Sequence, residues 1–230
     1  MLDDIRPSES YSLSNLPAFD QSLATRTVQT SAGFFLKHLQ PGMRVLDCGC
    51  GPGTITLGLA EVVAAGEVVG IDIDVDGLDA ARSRAAAQGI TNVRFESGNI
   101  YDLRYPDGSF DAVFAHALLV HLSDPAAALR QMTRMLRPGG VIGIRDADRG
   151  FDLRLPETPR LKEMFDLWVR VLVHNGASPF YARHQRELLI EVGLQNVTAN
   201  AFALTYGTAE ETHRNAQGTG MFFLVSLGRP

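Results

Sequence analysis

Cysteine is almost absent. Cys48 and Cys50 are the only two in the chain, one residue apart in a glycine-rich stretch. That spacing is poor for a disulfide and leaves no second pair to complete a zinc site, so both read as small residues packed in a turn. Sparse cysteine without a bridging pattern fits a reducing compartment. Residues 1–10 are acidic and polar, unlike the charged-then-apolar layout of a secretory leader, and the expected location is cytoplasmic. No apolar run approaches the ~18 residues of a membrane span, so none is expected. Lys/Arg runs are missing and the formal net charge is −5, which argues against the clustered basic face that nucleic acid requires. An acidic cluster with metal-ligand spacing is also lacking, so no bound metal is expected.

What is present is ordinary globular usage. Hydrophobic residues make up 45% and charged residues 20%, which excludes a disordered chain. A length of 230 residues suits one domain with a full core and a modest elaboration. Residues 1–24 read as a polar lead-in and 25–39 as a helix, giving an N-terminal helical cap over 1–40 and a main domain over 41–230. Short β-branched runs then alternate with helical stretches. Strands are expected at 44–48, 68–72, 93–96, 110–116 and 141–145, with helices at 54–63 and 78–88, the latter ended by Gly89. Asp124-Pro125 gives a cap and first-turn proline for another helix, and Pro138-Gly139-Gly140 turns the chain into the fifth strand. Five strands separated by helices predict a doubly wound α/β sheet with right-handed crossovers.

The last third breaks this rhythm. Leu161, Met164, Phe165, Trp168 and Leu172 mark one face of an amphipathic helix, and a further helix is expected near 183–192. Residues 196–206 and 221–227 read as two closing strands. Residues 147–196 exceed what a simple crossover needs and predict a helical insertion between strands 5 and 6, over the ligand edge of the sheet.

The most informative segment runs from Val45 to Thr54, a buried strand passing into a glycine-rich turn that opens a helix. Gly49, Gly51 and Gly53 leave the backbone bare for a ligand, and the helix start offers N–H groups to it. The spacing is G-x-G-x-G, with Thr54 where a dinucleotide fingerprint wants its last glycine. Asp47, directly before the turn, suits a cationic amino group. Asp72, about 20 residues on at the tip of strand 2, suits the two hydroxyls of a ribose. Asp72 also reads as a helix cap, although Asp74 and Asp76 are better placed for that.

Four motifs (VLDCGCGPG, VVGIDID, GNIYDLRYPDGSFDAVFAH and LRPGG) together make residues 41–146 resemble the core of class I S-adenosylmethionine-dependent methyltransferases, above all the ubiquinone/menaquinone biosynthesis type. The resemblance implies a Rossmann-like, doubly wound, seven-stranded and mostly parallel sheet with an antiparallel last strand. It also implies S-adenosyl-L-methionine as cofactor. Asp47, Gly49, Cys50, Gly51 and Gly53 would hold its methionine end, Asp72 its ribose, and Ile73 its adenine face. Asn99, where the family commonly has Asp, and Ile100 would meet the adenine edge. His116 would lie near the methionine moiety through its backbone.

A sulfonium methyl already has a good leaving group, so alignment and exclusion of water are the protein's main tasks, supplying ~7–11 kcal/mol in favourable systems. A base is needed only if the acceptor must lose a proton. Candidates are His116, His121 and Asp146, with Asp148 and His174 behind them. His121 reads equally as a structural histidine, and His174 as a partner of a helix C-terminus. After strand 4 the chain has Ala115-His116-Ala117-Leu118, not the Asn/Asp-Pro-Pro-aromatic signature of enzymes methylating base or glutamine amides. Phe151, Phe165, Trp168, Phe180 and Tyr181 in the insertion suggest a small apolar or aromatic acceptor, or else simply seal the insertion's own core. Two alternatives stay open: a non-catalytic cofactor-binding or scaffold protein, and an NAD(P)-dependent oxidoreductase.

Overall fold

The structure is a computed structural model and describes residues 26–152 and 155–213. Five strands form one sheet: Arg44–Cys48 (β1), Glu67–Asp72 (β2), Val93–Ser97 (β3), Phe110–His116 (β4) and Leu136–Arg145 (β5). Their order is β3-β2-β1-β4-β5 and every neighbouring pair is parallel. The order reverses between β1 and β4, so the carboxyl ends of those two strands form the crevice where open sheets of this kind take ligands.

Side-chain alternation divides the core. Leu46, Val69 and Val113 face one cluster, while Val45, Val68, Ala112 and Phe114 face another, as a period of two requires. The second cluster is closed by Val28–Leu36 (α1) and Thr54–Val62 (α2) through Val28, Ala32, Phe35 and Leu59. The Phe35 and Phe114 rings stack at 5.5 Å. A Cβ on Gly143 of β5 would stand 2.4 Å from the Phe35 ring, so glycine there is what admits α1 to the sheet. The helix in the 1–40 region thus shares the sheet's own core. Its start is a capping box, with the Thr30 N–H donating to Thr27 Oγ1 at 3.2 Å.

Val75–Gln88 (α3) closes a third cluster with Leu78, Ala81 and Phe95, and ends at Gly89 in the left-handed region. Pro125–Met135 (α4) seals the first cluster with Leu129, Met132 and Met135. Asp124 caps it by accepting from the Ala127 N–H at 2.8 Å. Regular pairing of β5 with β4 begins at Ala112↔Val141, and residues 137–140 bulge out after Phe110↔Leu136; Pro138-Gly139-Gly140, expected as a turn before the strand, is an irregular first part of β5 itself. Beyond β5 lie Pro159–His174 (α5), a 3-10 turn at Tyr181–His184 and Gln185–Glu191 (α6). The helix expected over 183–192 is therefore split between that turn and α6.

One expected element is absent. Residues 196–206 carry no strand, and Phe202, Leu204 and Tyr206 are 57%, 68% and 52% exposed. Their alternation has the period of a strand, but a strand is made by a neighbour's N–H and C=O groups, and no such neighbour exists among the described residues. Residues 221–227, expected as the last strand, lie outside the described residues. What the described residues show is a Rossmann-like sheet of five parallel strands.

Candidate functional site

The cradle is assembled where β1 and β2 end. The N–H groups of Gly49 and Cys50 both donate to the Ile71 carbonyl, at 2.8 and 3.0 Å, which locks the turn onto the second strand. The Gly51 N–H then donates to Asp72 Oδ2 at 2.7 Å, and the Asp74 N–H to Asp72 Oδ1 at 3.0 Å. A carboxylate has about four acceptor positions, so Asp72 ties the turn together and keeps capacity for two hydroxyls. Burial raises its pKa, opposed by those N–H bonds. Asp74 is the residue capping α3 in position, yet its side chain makes no cap bond. Asp74 thus holds the expected N-cap place without a side-chain cap bond, while Asp72 accepts from its N–H.

The glycines of the turn do different things. Gly51 has φ +49 and no heavy atom within 4 Å of where a Cβ would stand, so its bare backbone faces open space. At Gly53, φ +77, a Cβ would stand 2.8 Å from both Ala81 and the Phe95 ring, so this glycine lets α2 approach α3 and β3. Cys50 packs its thiol into the third cluster and leaves only backbone for a ligand. Both thiols are free and buried, and burial lifts each well above the usual range.

Asp47 lies under the turn, 2% exposed, and accepts from Thr56 Oγ1 at 2.7 Å. Burial pushes its pKa up to about 7 against the Thr56 bond, with the Asp72 charge adding to the rise. Thr56 escaped the sequence reading, although a hydroxyl two residues into the helix was its only signal. Ile73, beside Asp72, is 50% exposed, an apolar surface available to a flat ring. The Gly98 N–H donates to the Asp72 carbonyl at 3.0 Å, which brings the β3 exit to the same edge. There Asn99 Oδ1 accepts from the Tyr101 N–H at 2.9 Å, leaving its amide N–H₂ outward, whereas Ile100 buries its side chain in the core.

The second half of the site sits where β4 and β5 end. His116 pairs in register with Arg145, and its Nδ1 accepts from Arg26 at 3.4 Å. Burial, then the Arg26 and Arg145 charges, pull its pKa down to about 3, so the ring is neutral. Ala117 follows with φ +52, a costly left-handed turn for alanine of the kind found at ligand sites. His121 keeps some surface in contact with solvent but is packed densely enough that burial, then Arg149 and Arg26, bring it to about 4.

Asp146 differs from both histidines. Its two carboxylate oxygens are buried and have no hydrogen-bond partner among the described residues. Burial pushes its pKa up to about 7; the Val120 and Leu119 N–H groups and then Arg149 and Arg26 oppose the rise. Those N–H groups act as nearby dipoles without reaching hydrogen-bond geometry. Asp148 is committed elsewhere, accepting from Arg183 Nε and Nη2 at 2.8 Å each, which holds its pKa below the usual carboxylate range. Arg145 pairs with neither acid: it donates to the Thr30 carbonyl and covers the Phe202 ring at 4.0 Å. His174 ends α5, away from these groups in sequence. Phe151 is 78% exposed and, with Phe180, flanks the Arg183 guanidinium; Phe165 and Trp168 meet edge to face.

The family model described as a methyltransferase domain matches residues 39–193. An uncharacterized methyltransferase of Schizosaccharomyces pombe is 34% identical over 197 residues, covering 83% of this chain and 70% of that one. A demethylmenaquinone methyltransferase of Staphylococcus aureus is 30% identical over 163 residues, covering 70% and 62%. The chain spans about half the length of two further curated relatives. Among solved structures, a SAM-dependent methyltransferase of Aquifex aeolicus superposes with a TM-score of 0.54 at 23% identity, over 70% of this chain and 87% of that one; at that identity the likeness is one of fold. The matched span runs from the end of α1 through the cradle and β5 to α6, and the chain belongs to the methyltransferase domain family.

Proposed function

We propose that the protein transfers a methyl group from S-adenosyl-L-methionine to a small, apolar or aromatic acceptor by in-line displacement. The observation that carries the reading is the Gly51–Asp72 hydrogen bond at 2.7 Å with open space above Gly51. It sets a bare backbone and a ribose-binding acid side by side at the carboxyl ends of β1 and β2, next to the switch point between β1 and β4. Ile73 offers the adenine its exposed face, Asn99 an amide beside it, and Asp47 a carboxylate that an ammonium group draws into its ionised form. When bound, S-adenosylmethionine supplies a methyl group on a cationic sulfur that leaves as a neutral thioether.

On the acceptor side Asp146 is the base that fits best. With a pKa of about 7 it is matched to proton transfer near neutrality. Its carboxylate would take the acceptor's proton, freeing the acceptor's electron pair for the methyl group that the bound cofactor would supply. His116 and His121, both held neutral, shape the pocket around it. The demethylmenaquinone methyltransferases among the relatives support an aromatic acceptor. The sparse, unbridged cysteines support a reducing, cytoplasmic location, and no helix among the described residues is long and apolar enough to cross a membrane.

Calorimetry with S-adenosylhomocysteine and with NAD tests the cradle: binding of the first and not the second is expected. Methyl transfer to a panel of quinols, phenols and small acids then tests turnover. Tight NAD binding with no response to S-adenosylhomocysteine would reject the proposal.

A further inference from the structure

A second buried polar group, the Tyr181 hydroxyl, lies close enough to Asp146 for burial and then the Asp146 charge to raise its pKa. Tyr181 is 4% exposed, and its hydroxyl, like the Asp146 oxygens, is buried without a hydrogen-bond partner among the described residues. Leaving a buried donor or acceptor unmade costs the desolvation of that group without compensation, and native proteins leave few such groups without a reason. The two groups come from different elements, Asp146 from the end of rigid β5 and Tyr181 from the 3-10 turn of the insertion. That turn is fastened to the sheet edge at a few places. The Ser178 N–H donates to the Val120 carbonyl at 2.9 Å, the Arg149 N–H to the Pro179 carbonyl at 3.1 Å, and Gln185 Nε2 to the Ile144 carbonyl at 3.1 Å. Tyr181 packs in the same cluster as Leu119 and Ile144.

We infer that Asp146 and Tyr181 together form the receptor for a hydroxyl group on the methyl acceptor, a phenol or enol seated between β5 and the insertion. This inference rests on the methyltransferase reading and deepens it. A hydroxyl donates one hydrogen bond and accepts others, so it satisfies a carboxylate and a tyrosine O–H at once. Neither common alternative does so. A carboxylate would face the Asp146 charge across a buried gap, and an ammonium group would face the fields of Arg26 and Arg149, both of which act on Asp146 and His121. The same arginines favour the oxyanion that a phenol becomes as its proton leaves. Since both polar groups are buried, the acceptor reaches them by parting the insertion turn from the sheet edge, and it then restores the covering with every polar group satisfied.

The test uses the full chain saturated with S-adenosylhomocysteine and three probes of one shape: 1-naphthol, 1-naphthoate and 1-naphthylmethylamine. Wild type is expected to bind the naphthol at least tenfold tighter than the other two, and the naphthol is expected to protect residues 177–184 from hydrogen exchange. Asp146→Asn and Tyr181→Phe, both nearly isosteric, should each lose that preference while S-adenosylhomocysteine affinity stays within twofold, which also certifies their folding. Naphthoate or amine binding as well as the naphthol, no binding of the naphthol, or variants that keep the preference would each overturn the inference. Failure of wild type to bind S-adenosylhomocysteine before any probe is added would instead overturn the methyltransferase reading.

Discussion

Asp72 holds the turn and, in the proposed function, the ribose, and the two duties separate by experiment. Asp72→Ala removes acceptors from the Gly51 and Asp74 N–H groups as well as from the ligand. Hydrogen bonds to a charged group are worth ~1.5–3 kcal/mol each, so S-adenosylhomocysteine affinity should fall at least tenfold by calorimetry. Unchanged affinity in a folded variant would remove the ribose role. Asp47 makes a pH-dependent prediction. Its carboxyl is pushed from 3.8 to about 7 in the fold, so the folded state holds a proton that the unfolded state has lost between those values. The stability this group contributes is full below pH 3.8 and is lost as pH rises through about 7. Asp47→Asn keeps an acceptor for Thr56 and has no such loss, so its melting temperature should rise relative to wild type between pH 5 and pH 8. A difference that is flat with pH would show that Asp47 is ionised in the fold throughout.

The turn between β1 and α2 shows why some of the site was legible in the sequence and some was not. Three alternate glycines and the acid of β2 are close in sequence or fixed by strand length, so the pattern alone points to the cradle. It does not distinguish the glycines, because which one faces ligand depends on where Ala81 and Phe95 arrive from α3 and β3. Gly51→Ala and Gly53→Ala should therefore diverge. Each pays ~1–2 kcal/mol for a left-handed alanine, but only Gly53→Ala forces a methyl group to 2.8 Å from its neighbours. The first should melt near wild type and bind S-adenosylhomocysteine poorly; the second should melt lower by more than twice the drop of the first. Equal melting temperatures would contradict the packing role. Helix ends were legible where one residue closes them locally, as Asp124 does with its side chain and Gly89 with its left-handed backbone. Residues 196–206 were misread because alternation records which side a residue would face, not whether a partner strand is present. Tyr181 was visible only as one aromatic among five; its approach to Asp146 joins residues 35 positions apart through the fold of the insertion.

At the scale of the whole molecule the two halves of the site rest on different kinds of support. The proposed donor half is built on β1 and β2, inside a parallel sheet whose strands are buried on both faces. The proposed acceptor half leans on the segment that follows β5, which is joined to the sheet edge by isolated hydrogen bonds and by the Arg183–Asp148 pair. That pair is bidentate, and its Asp148 side chain is only 13% exposed while Arg183 is 38% exposed. Pairs open to solvent contribute about 0–1 kcal/mol, so the link orients the 3-10 turn more than it stabilises the fold. Arg183→Ala should leave the melting temperature within a few degrees of wild type and S-adenosylhomocysteine affinity unchanged. The KM for a phenolic acceptor should rise severalfold, because Tyr181 lies two residues away and loses its anchor while the donor cradle does not. Steady-state kinetics with calorimetry separates the effects: a loss of donor affinity equal to the loss of acceptor affinity would mean that the halves are one mechanical unit, and the division drawn from the sheet would not hold.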